Sequence, residues 1–163
     1  MAHAILSASG ASRWMACTPS ARLEEQFPDS TSEYAREGTL AHELCELKVR
    51  KNLIEPMHTR TYNSKLKKLK EHELWQDEMD KHTDTYLEYI QGLVHSYNCA
   101  PAVMVEKKVD FSSYVPDGFG TADCIIIADG TLHVIDFKYG KGVAVSAENN
   151  PQMKLYGLGA YLE

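Results

Sequence analysis

The sequence predicts a protein of the mixed α/β (α+β) class, with a helical N-terminal half and a central mixed β-sheet flanked by helices. Up to residue 100, apolar residues recur every three or four positions, as in amphipathic helices. From Ala102 they recur every second position, as in strands. The 163 residues are the length of one domain. We therefore predict a single domain, 1–163, in which residues 1–100 are mainly helical and residues 102–163 hold the sheet and a last helix.

Composition is that of a globular protein, with 44% hydrophobic and 25% charged residues. No apolar run approaches the ~18 residues of a membrane helix, and the N-terminus lacks a signal-peptide pattern, so we expect a cytoplasmic protein. The net charge of −6 argues against nucleic-acid binding through a basic arm, but not against an enzyme with a local basic surface. The cysteines are scattered, which disfavours a zinc ribbon or a disulfide framework: Cys17, Cys45, Cys99 and Cys124.

The helical half is predicted to begin with two short helices within residues 7–26. Ser9 would cap the first, and Pro19 suits an early position of the second. Residues 33–54 show the leucine spacing of an amphipathic helix. The basic run at 60–70 is interpreted as the solvated face of a helix, with phosphate contact as the alternative.

Residues 72–97 show the clearest helical repeat, which we interpret as a core-facing stripe. Strand patterns follow at 102–109, 119–128 and 131–139. Asn149-Asn150-Pro151 then favours the start of a final helix, which continues to Glu163 without a C-cap. We therefore expect a minimal domain or one truncated at its C-terminus.

Asp129-Gly130 joins the last two strand patterns and is typical of a two-residue type I′ hairpin turn. Such a turn places Asp123 opposite Asp136, with Cβ atoms about 4.5–5.5 Å apart. Lys138 falls on the same face, opposite Thr121. The rest of the hairpin is apolar on both faces, so helices must cover it above and below.

Two carboxylates that face one another in a buried sheet destabilise it unless a cation lies between them. We interpret Asp123 and Asp136 as ligands of Mg²⁺ or Mn²⁺, with Lys138 near enough to orient or activate water or to offset phosphate charge. Glu106 supplies a third carboxylate if its strand joins the same sheet. The alternative is an edge hairpin with solvated acids, in which Lys138 makes an ordinary ion pair.

The order of Asp123 and Asp136-Phe137-Lys138 resembles the D…(D/E)xK core of the PD-(D/E)XK nuclease superfamily, in which a hairpin carries the metal ligands and the lysine. The resemblance covers residues 38–160, and the serine-rich opening that ends in Arg13-Trp14 is similar to phage-encoded members of the RecB-type branch. Three further motifs resemble that branch: Gly38-x3-His42-x3-Glu46, the GTAD segment at 120–123, and Gln152-x3-Tyr156.

The resemblance implies a restriction-endonuclease-like fold and metal-dependent hydrolysis of DNA phosphodiesters. It also implies roles for individual residues. These are catalytic roles for Lys138, Asp136, Asp123 and Glu106, metal binding by His42, Asp123, Asp136 and Phe137, DNA contact or positioning by Gln152 and Tyr156, and support by Glu46 and Thr121.

We therefore expect a Mg²⁺- or Mn²⁺-dependent DNA nuclease, with exonuclease action, in phage or prophage recombination or DNA processing in the host cytoplasm. DNA is the expected partner, with a recombination protein or a second copy as further partners and no membrane. Many relatives hold an iron–sulfur cluster on four cysteines, which the scattered cysteines do not predict here. The alternatives are a non-catalytic DNA-binding or assembly module that retains the fold, and a nuclease acting on RNA or nucleotides.

Overall fold

The computed structural model describes residues 4–27, 32–140 and 145–163. Within these ranges the chain is a mixed α/β structure in which helices surround an antiparallel sheet. The elements in chain order are α1 (Ala11–Ala16), α2 (Pro19–Glu24), α3 (Glu33–Val49), a π-helical turn (Arg50–Ile54), α4 (Thr59–Lys70), α5 (Glu78–His95), β1 (Ala102–Asp110), β2 (Phe119–Ala128), β3 (Thr131–Ile135) and α6 (Pro151–Leu162).

The predicted helices are present, with two local corrections. Gly10, not Ser9, occupies the N-cap of α1, and its N–H donates to Ser7 Oγ at 3.2 Å. Helix α5 begins at Glu78 rather than at residue 72, because the chain turns between α4 and α5 and the Trp75 N–H bonds the His72 carbonyl. Trp75 therefore lies outside the helix whose repeat it extends in the sequence.

The hairpin is formed as predicted. In the pairing of β2 with β3, Cys124 is opposite Ile135 and Ala128 is opposite Thr131. Asp129 and Gly130 both have positive φ, 47° and 70°, as a type I′ turn requires. The turn therefore fixes the register that the sequence predicts.

The sheet differs from the prediction in two respects. Within the described ranges it is antiparallel throughout, in the order β1-β2-β3, and not mixed. Its links are too short for the crossover that a parallel pair needs. Strand β3 also ends at Ile135 and not at residue 139, because the Phe137 N–H donates to Asp123 Oδ2 at 2.7 Å instead of joining the ladder.

Helices cover both faces of the sheet, as its two apolar faces require. Side chains of α3 and α5 pack on one face, where the buried residues include Leu44, Met79 and Ile126. Helix α6 packs on the other face, where the core includes Phe111 and Ile125. The hairpin end that carries Asp123 lies between these two layers.

Two further facts concern the chain as a whole. None of the helices in the described part is long and apolar enough to cross a membrane. All four cysteines are free, with Cys45 and Cys124 buried and Cys17 and Cys99 exposed.

Candidate metal and lysine site

Acidic residues from three consecutive segments of the sheet fall in one cross-strand row. The pairs that flank Glu106 put it opposite Asp123, since Val105 pairs with Cys124 and Lys107 pairs with Ala122. On the other side of β2, the hairpin register brings Asp136 next to Asp123, one residue beyond the end of β3. Strand β1 therefore joins the sheet in the way that a third carboxylate needs.

The backbone of Glu106 is unusual for a strand residue. Its φ is 49°, in the left-handed region that costs a non-glycine residue roughly 1–3 kcal/mol. The inside-outside alternation also changes here: Val105 belongs to the core beneath α3 and α5, whereas Val109 belongs to the core beneath α6. The change of face directs the Glu106 carboxylate towards the α3 side of the sheet, close to His42.

Helix α3 delivers His42 to the same place. His42 Nδ1 lies 3.3 Å from Asp123 Oδ1, and the imidazole packs edge-on against the Phe137 ring with centroids 5.5 Å apart. Asp123 is 86% buried and uses its other oxygen, Oδ2, to accept the Phe137 N–H. Phe137 thus supports the ligands with its ring and its N–H, and the only ligand atom it offers is its backbone carbonyl oxygen.

We refer to His42, Glu106 and Asp123 as the histidine–acid triad. One potential ligand atom from each residue lies within 4.8 Å of those of the other two. Loss of hydration raises the pKa of Glu106 to about 7, and the negative charges of Asp123 and Glu46 add to the effect. Burial lowers the pKa of His42, but the hydrogen bond and charge of Asp123 outweigh it, so that this pKa lies above its ordinary value. The triad thus concentrates negative charge that a proton or a metal cation offsets.

A second group, which we call the lysine cluster, adjoins the triad and contains Asp136, Lys138, Gln152 and Tyr156. Lys138 Nζ lies 2.6 Å from Asp136 Oδ2 and donates to Gln152 Oε1 at 3.3 Å. The Gln152 amide donates to Asp136 Oδ1 and to the Tyr156 hydroxyl, each at 3.1 Å. The two predicted motifs DxK and QxxxY are therefore joined by direct hydrogen bonds.

Burial and charge distinguish the members of the lysine cluster. Asp136 is 92% buried, whereas half of the Lys138 side chain is exposed. Burial raises the pKa of Asp136, as does the charge of Asp123, while the hydrogen bond from Lys138 opposes both. Burial also raises the pKa of Tyr156 to about 12, so this phenol is neutral at pH 7. Asp136 and Gln152 thus fix the position of the Lys138 ammonium group, while half of the side chain remains accessible to solvent.

Glycines in two of the motifs have different roles. A Cβ on Gly120 would lie 2.6 Å from Cε1 of Tyr156, so glycine is needed where α6 crosses the strand. A Cβ on Gly38 would meet no atom within 4 Å, so its position in α3 imposes no such requirement. The lead into Asp123 therefore contributes to the packing of the lysine cluster, while Thr121 is exposed.

The structure brings most of the predicted site residues together. Two of them, Asp136 and Glu46, are bonded to side chains outside the triad. Asp136 lies outside the triad, and its two oxygens accept from Gln152 and contact Lys138. Glu46 is paired with Arg50, whose Nε lies 2.7 Å from Glu46 Oε1. Sequence reasoning missed Arg50, although the i,i+4 spacing from Glu46 is the signal that finds it.

The arrangement defines a mixed α/β domain that carries a candidate divalent-metal site beside a lysine. Comparison with known families matches residues 3–163 to a family described as "Protein of unknown function (DUF2800)". The chain therefore belongs to the DUF2800 family. No solved structure matches it.

Proposed function

We propose that this protein is a divalent-metal-dependent DNA nuclease of the RecB-type branch of the PD-(D/E)XK superfamily. The observation that carries the proposal is that two groups drawn from distant parts of the chain lie side by side, with Asp123 of one next to Asp136 of the other in the cross-strand row. His42, Glu106 and Asp123 form a site with metal-ligand chemistry, and Lys138 is held beside it by Asp136 and Gln152. A nuclease of this kind needs both parts.

The side chains of the triad fit a divalent cation. Carboxylates suit Mg²⁺ and Mn²⁺, and an imidazole shifts the preference towards Mn²⁺ among these two. Loss of hydration and the neighbouring charges of Asp123 and Glu46 raise the pKa of Glu106, and a bound cation would favour its ionised form. His42, Glu106 and Asp123 would hold the ion, and Asp136 is the nearest further carboxylate in the row. A bound divalent cation lowers the pKa of water and offsets charge on a phosphate.

The protein's own groups supply the rest of the chemistry. Hydrolysis joins a water oxygen to phosphorus and breaks one ester bond, and negative charge builds on the phosphate oxygens as this happens. In this proposal Lys138 Nζ, which Asp136 and Gln152 hold, donates a hydrogen bond to such an oxygen. Gln152 keeps this geometry because the Tyr156 hydroxyl and Asp136 both accept from its amide.

The assignment to the PD-(D/E)XK fold rests on the order of the elements. A helix with His42 precedes a β-hairpin with Asp123, the segment Asp136-Phe137-Lys138 follows directly after the second strand of that hairpin, and a helix with Gln152 and Tyr156 comes last. DNA as the substrate, exonuclease action and a role in phage or prophage recombination in the host cytoplasm are part of the proposal through the same resemblance. We propose no iron–sulfur cluster.

The test is cleavage of end-labelled single- and double-stranded DNA with Mn²⁺ or Mg²⁺. Replacing Lys138 with alanine should lower the rate by at least ~100-fold, the usual cost of losing a donor to developing charge. Asp136→Ala should do the same, because Lys138 then loses its partner. Lys154→Ala is the matched control, since Lys154 is an exposed lysine of α6 that contacts Asn149. Undiminished cleavage by Lys138→Ala would contradict the proposal.

The competing function is a DNA-binding or assembly module that retains the fold without cleaving DNA. Calorimetric titration with Mn²⁺ separates the two. A nuclease binds the ion at a site that Asp123→Asn removes, whereas a module without a metal site gives no such heat. DNA binding without Mn²⁺ binding and without cleavage would favour the module.

A further inference from the structure

A groove between α3 and α4 opens onto the histidine–acid triad. It has a volume of about 630 Å³, and its lining includes His42 and Glu106 of the triad together with Lys65 and Lys68 of α4. Apolar side chains such as Leu47 and Leu69 form part of the same lining. The groove therefore joins the candidate metal site to the basic run that the sequence shows at residues 60–70.

The two lysines in this groove have no carboxylate partner among the described residues. The other two lysines of α4 are already paired, since Lys67 lies 3.6 Å from Glu71 and Lys70 forms a salt bridge with Asp80. Lys65 and Lys68 are exposed on the wall of the groove instead. Their charges are thus available to an anionic ligand.

The opposite wall of the groove carries negative charge. Glu43 and Glu46 of α3 line it, with Glu46 paired to Arg50. A phosphate chain in the groove is therefore drawn towards α4 and away from α3, apart from the point where a cation in the triad attracts it. This asymmetry gives an extended anion one preferred path.

We propose that this groove binds the sugar–phosphate backbone of one DNA strand next to the phosphate that is cleaved, with Lys65 and Lys68 contacting its phosphates. The inference rests on the proposed nuclease function and adds the path of the substrate. Phosphates supply the negatively charged partners that Lys65 and Lys68 do not have among the described residues, and the apolar lining suits sugars and bases.

The size of the groove selects a single strand. Pockets of about 300–1,000 Å³ enclose one drug-sized molecule, which is the scale of one or two nucleotides. A B-form duplex is far larger, since its major groove alone is about 12 Å wide. The groove therefore has room for the backbone of one strand and not for a whole duplex.

The experiment measures the binding of a fluorescein-labelled single-stranded oligonucleotide by anisotropy, with Ca²⁺ in place of Mg²⁺ and a gel to show that the DNA stays intact. The test variant is Lys65→Gln/Lys68→Gln. The control, Lys67→Gln/Lys81→Gln, removes the same charge from exposed lysines that do not line the groove.

The two lost phosphate contacts should weaken binding on the order of 10-fold at ~0.1 M salt and reduce the slope of log K against log salt by about 1.4. The control should change the slope much less. Equal losses in both double variants, or none in Lys65→Gln/Lys68→Gln, would overturn the inference.

Cleavage assays keep this inference separate from the proposed function. If the groove variant binds DNA like the wild type while Lys138→Ala abolishes cleavage, the groove proposal fails and the nuclease proposal stands. If Lys138→Ala cleaves like the wild type, the nuclease proposal fails whatever the groove variant does. A wild-type protein that binds no DNA overturns both.

Discussion

The histidine–acid triad and the lysine cluster are neighbours at one end of the sheet, but their electrostatics differ. In the lysine cluster, Asp136 has both oxygens engaged and a lysine at 2.6 Å. In the triad, Glu106 forms no salt bridge with a lysine or arginine of the described ranges, and loss of hydration is the main reason that its pKa is raised to about 7. One group holds a lysine against its carboxylate, whereas the other gathers two carboxylates around a single imidazole.

The difference indicates a division of labour. Pre-formed hydrogen bonds in the lysine cluster suit a group that must be in place before the substrate arrives. Two carboxylates beside one imidazole in the triad suit a group whose partner, a metal cation, comes from solution. We therefore expect changes in the triad to alter metal affinity, and changes in the lysine cluster to alter cleavage at unchanged metal affinity.

The largest effect on metal binding is expected from Asp123→Asn. Asp123 contacts His42 and lies next to both Glu106 and Asp136. Its charge therefore acts on residues of the triad and of the lysine cluster. Asparagine keeps an oxygen for the Phe137 N–H and thus preserves the fold. We expect Mn²⁺ affinity to fall at least ~100-fold, above the range for residues that only support a ligand. Calorimetric titration with Mn²⁺ measures the affinity, and a far-ultraviolet circular dichroism spectrum like that of the wild type shows that the variant is folded. Retained affinity would contradict the role of the triad.

An intermediate effect is expected from Glu106→Gln, which should lower Mn²⁺ affinity roughly 10-fold. Because the folded-state pKa of Glu106 is about 7, above the ordinary 4.5, the metal-free protein loses stability as pH rises between these values. Glu106→Gln should therefore leave stability at pH 4 unchanged and raise it by about 1 kcal/mol at pH 8, a gain limited by solvent screening of this exposed side chain. Urea denaturation with a chelator measures both.

The matching control is Glu43→Gln, an exposed carboxylate of α3 outside the triad. It should change neither Mn²⁺ affinity nor the pH dependence of stability. Metal binding by the wild type should itself strengthen as pH rises towards 7 and above, because Glu106 and His42 must lose protons to bind a cation. An affinity independent of pH between 5 and 8 would be evidence against these two ligands.

The smallest effect on metal affinity is expected from Gly120→Ala. The new methyl group would meet the Tyr156 ring at 2.6 Å and displace the residue that accepts from Gln152. We expect a loss of about 1–3 kcal/mol in the free energy of unfolding, slower cleavage and unchanged Mn²⁺ affinity. Gly38→Ala, where a Cβ meets nothing, should instead stabilise α3 by up to about 1 kcal/mol. A fall in metal affinity for Gly120→Ala would remove the distinction between the two groups.

Parts of the site that depend on local spacing could be predicted from the sequence. Asp129-Gly130 fixed the hairpin register, and that register put Asp123 beside Asp136. Asn150 and Pro151 predicted the start of α6, where the Asn150 side chain accepts from Gln152 N–H. Each of these features involves residues close together in the chain, so nearby spacing was enough.

Other features could not be predicted, because they arise from contacts between distant segments. The end of β3 at Ile135 depends on the Asp123 carboxylate, which takes the Phe137 N–H out of the ladder. The left-handed backbone of Glu106 has no local sequence signal, since no glycine or asparagine occupies that position. Likewise, only the structure shows that Lys67 and Lys70 have acidic partners, Glu71 and Asp80, whereas Lys65 and Lys68 have none within the described part of the chain.

The sequence by itself determined which chemical groups are available and how those within one hairpin or one helix are spaced, because turns, caps and periodicity act over a few residues. Only the tertiary structure decided which of these groups contact one another. Because α3 packs on one face of the sheet, His42 lies beside Asp123 and Glu106. Because α6 packs on the other face, Gln152 forms hydrogen bonds with Asp136 and Lys138. Two nearly adjacent aspartates thereby acquired different partners, since a helix lies on each side of the strand pair that carries them.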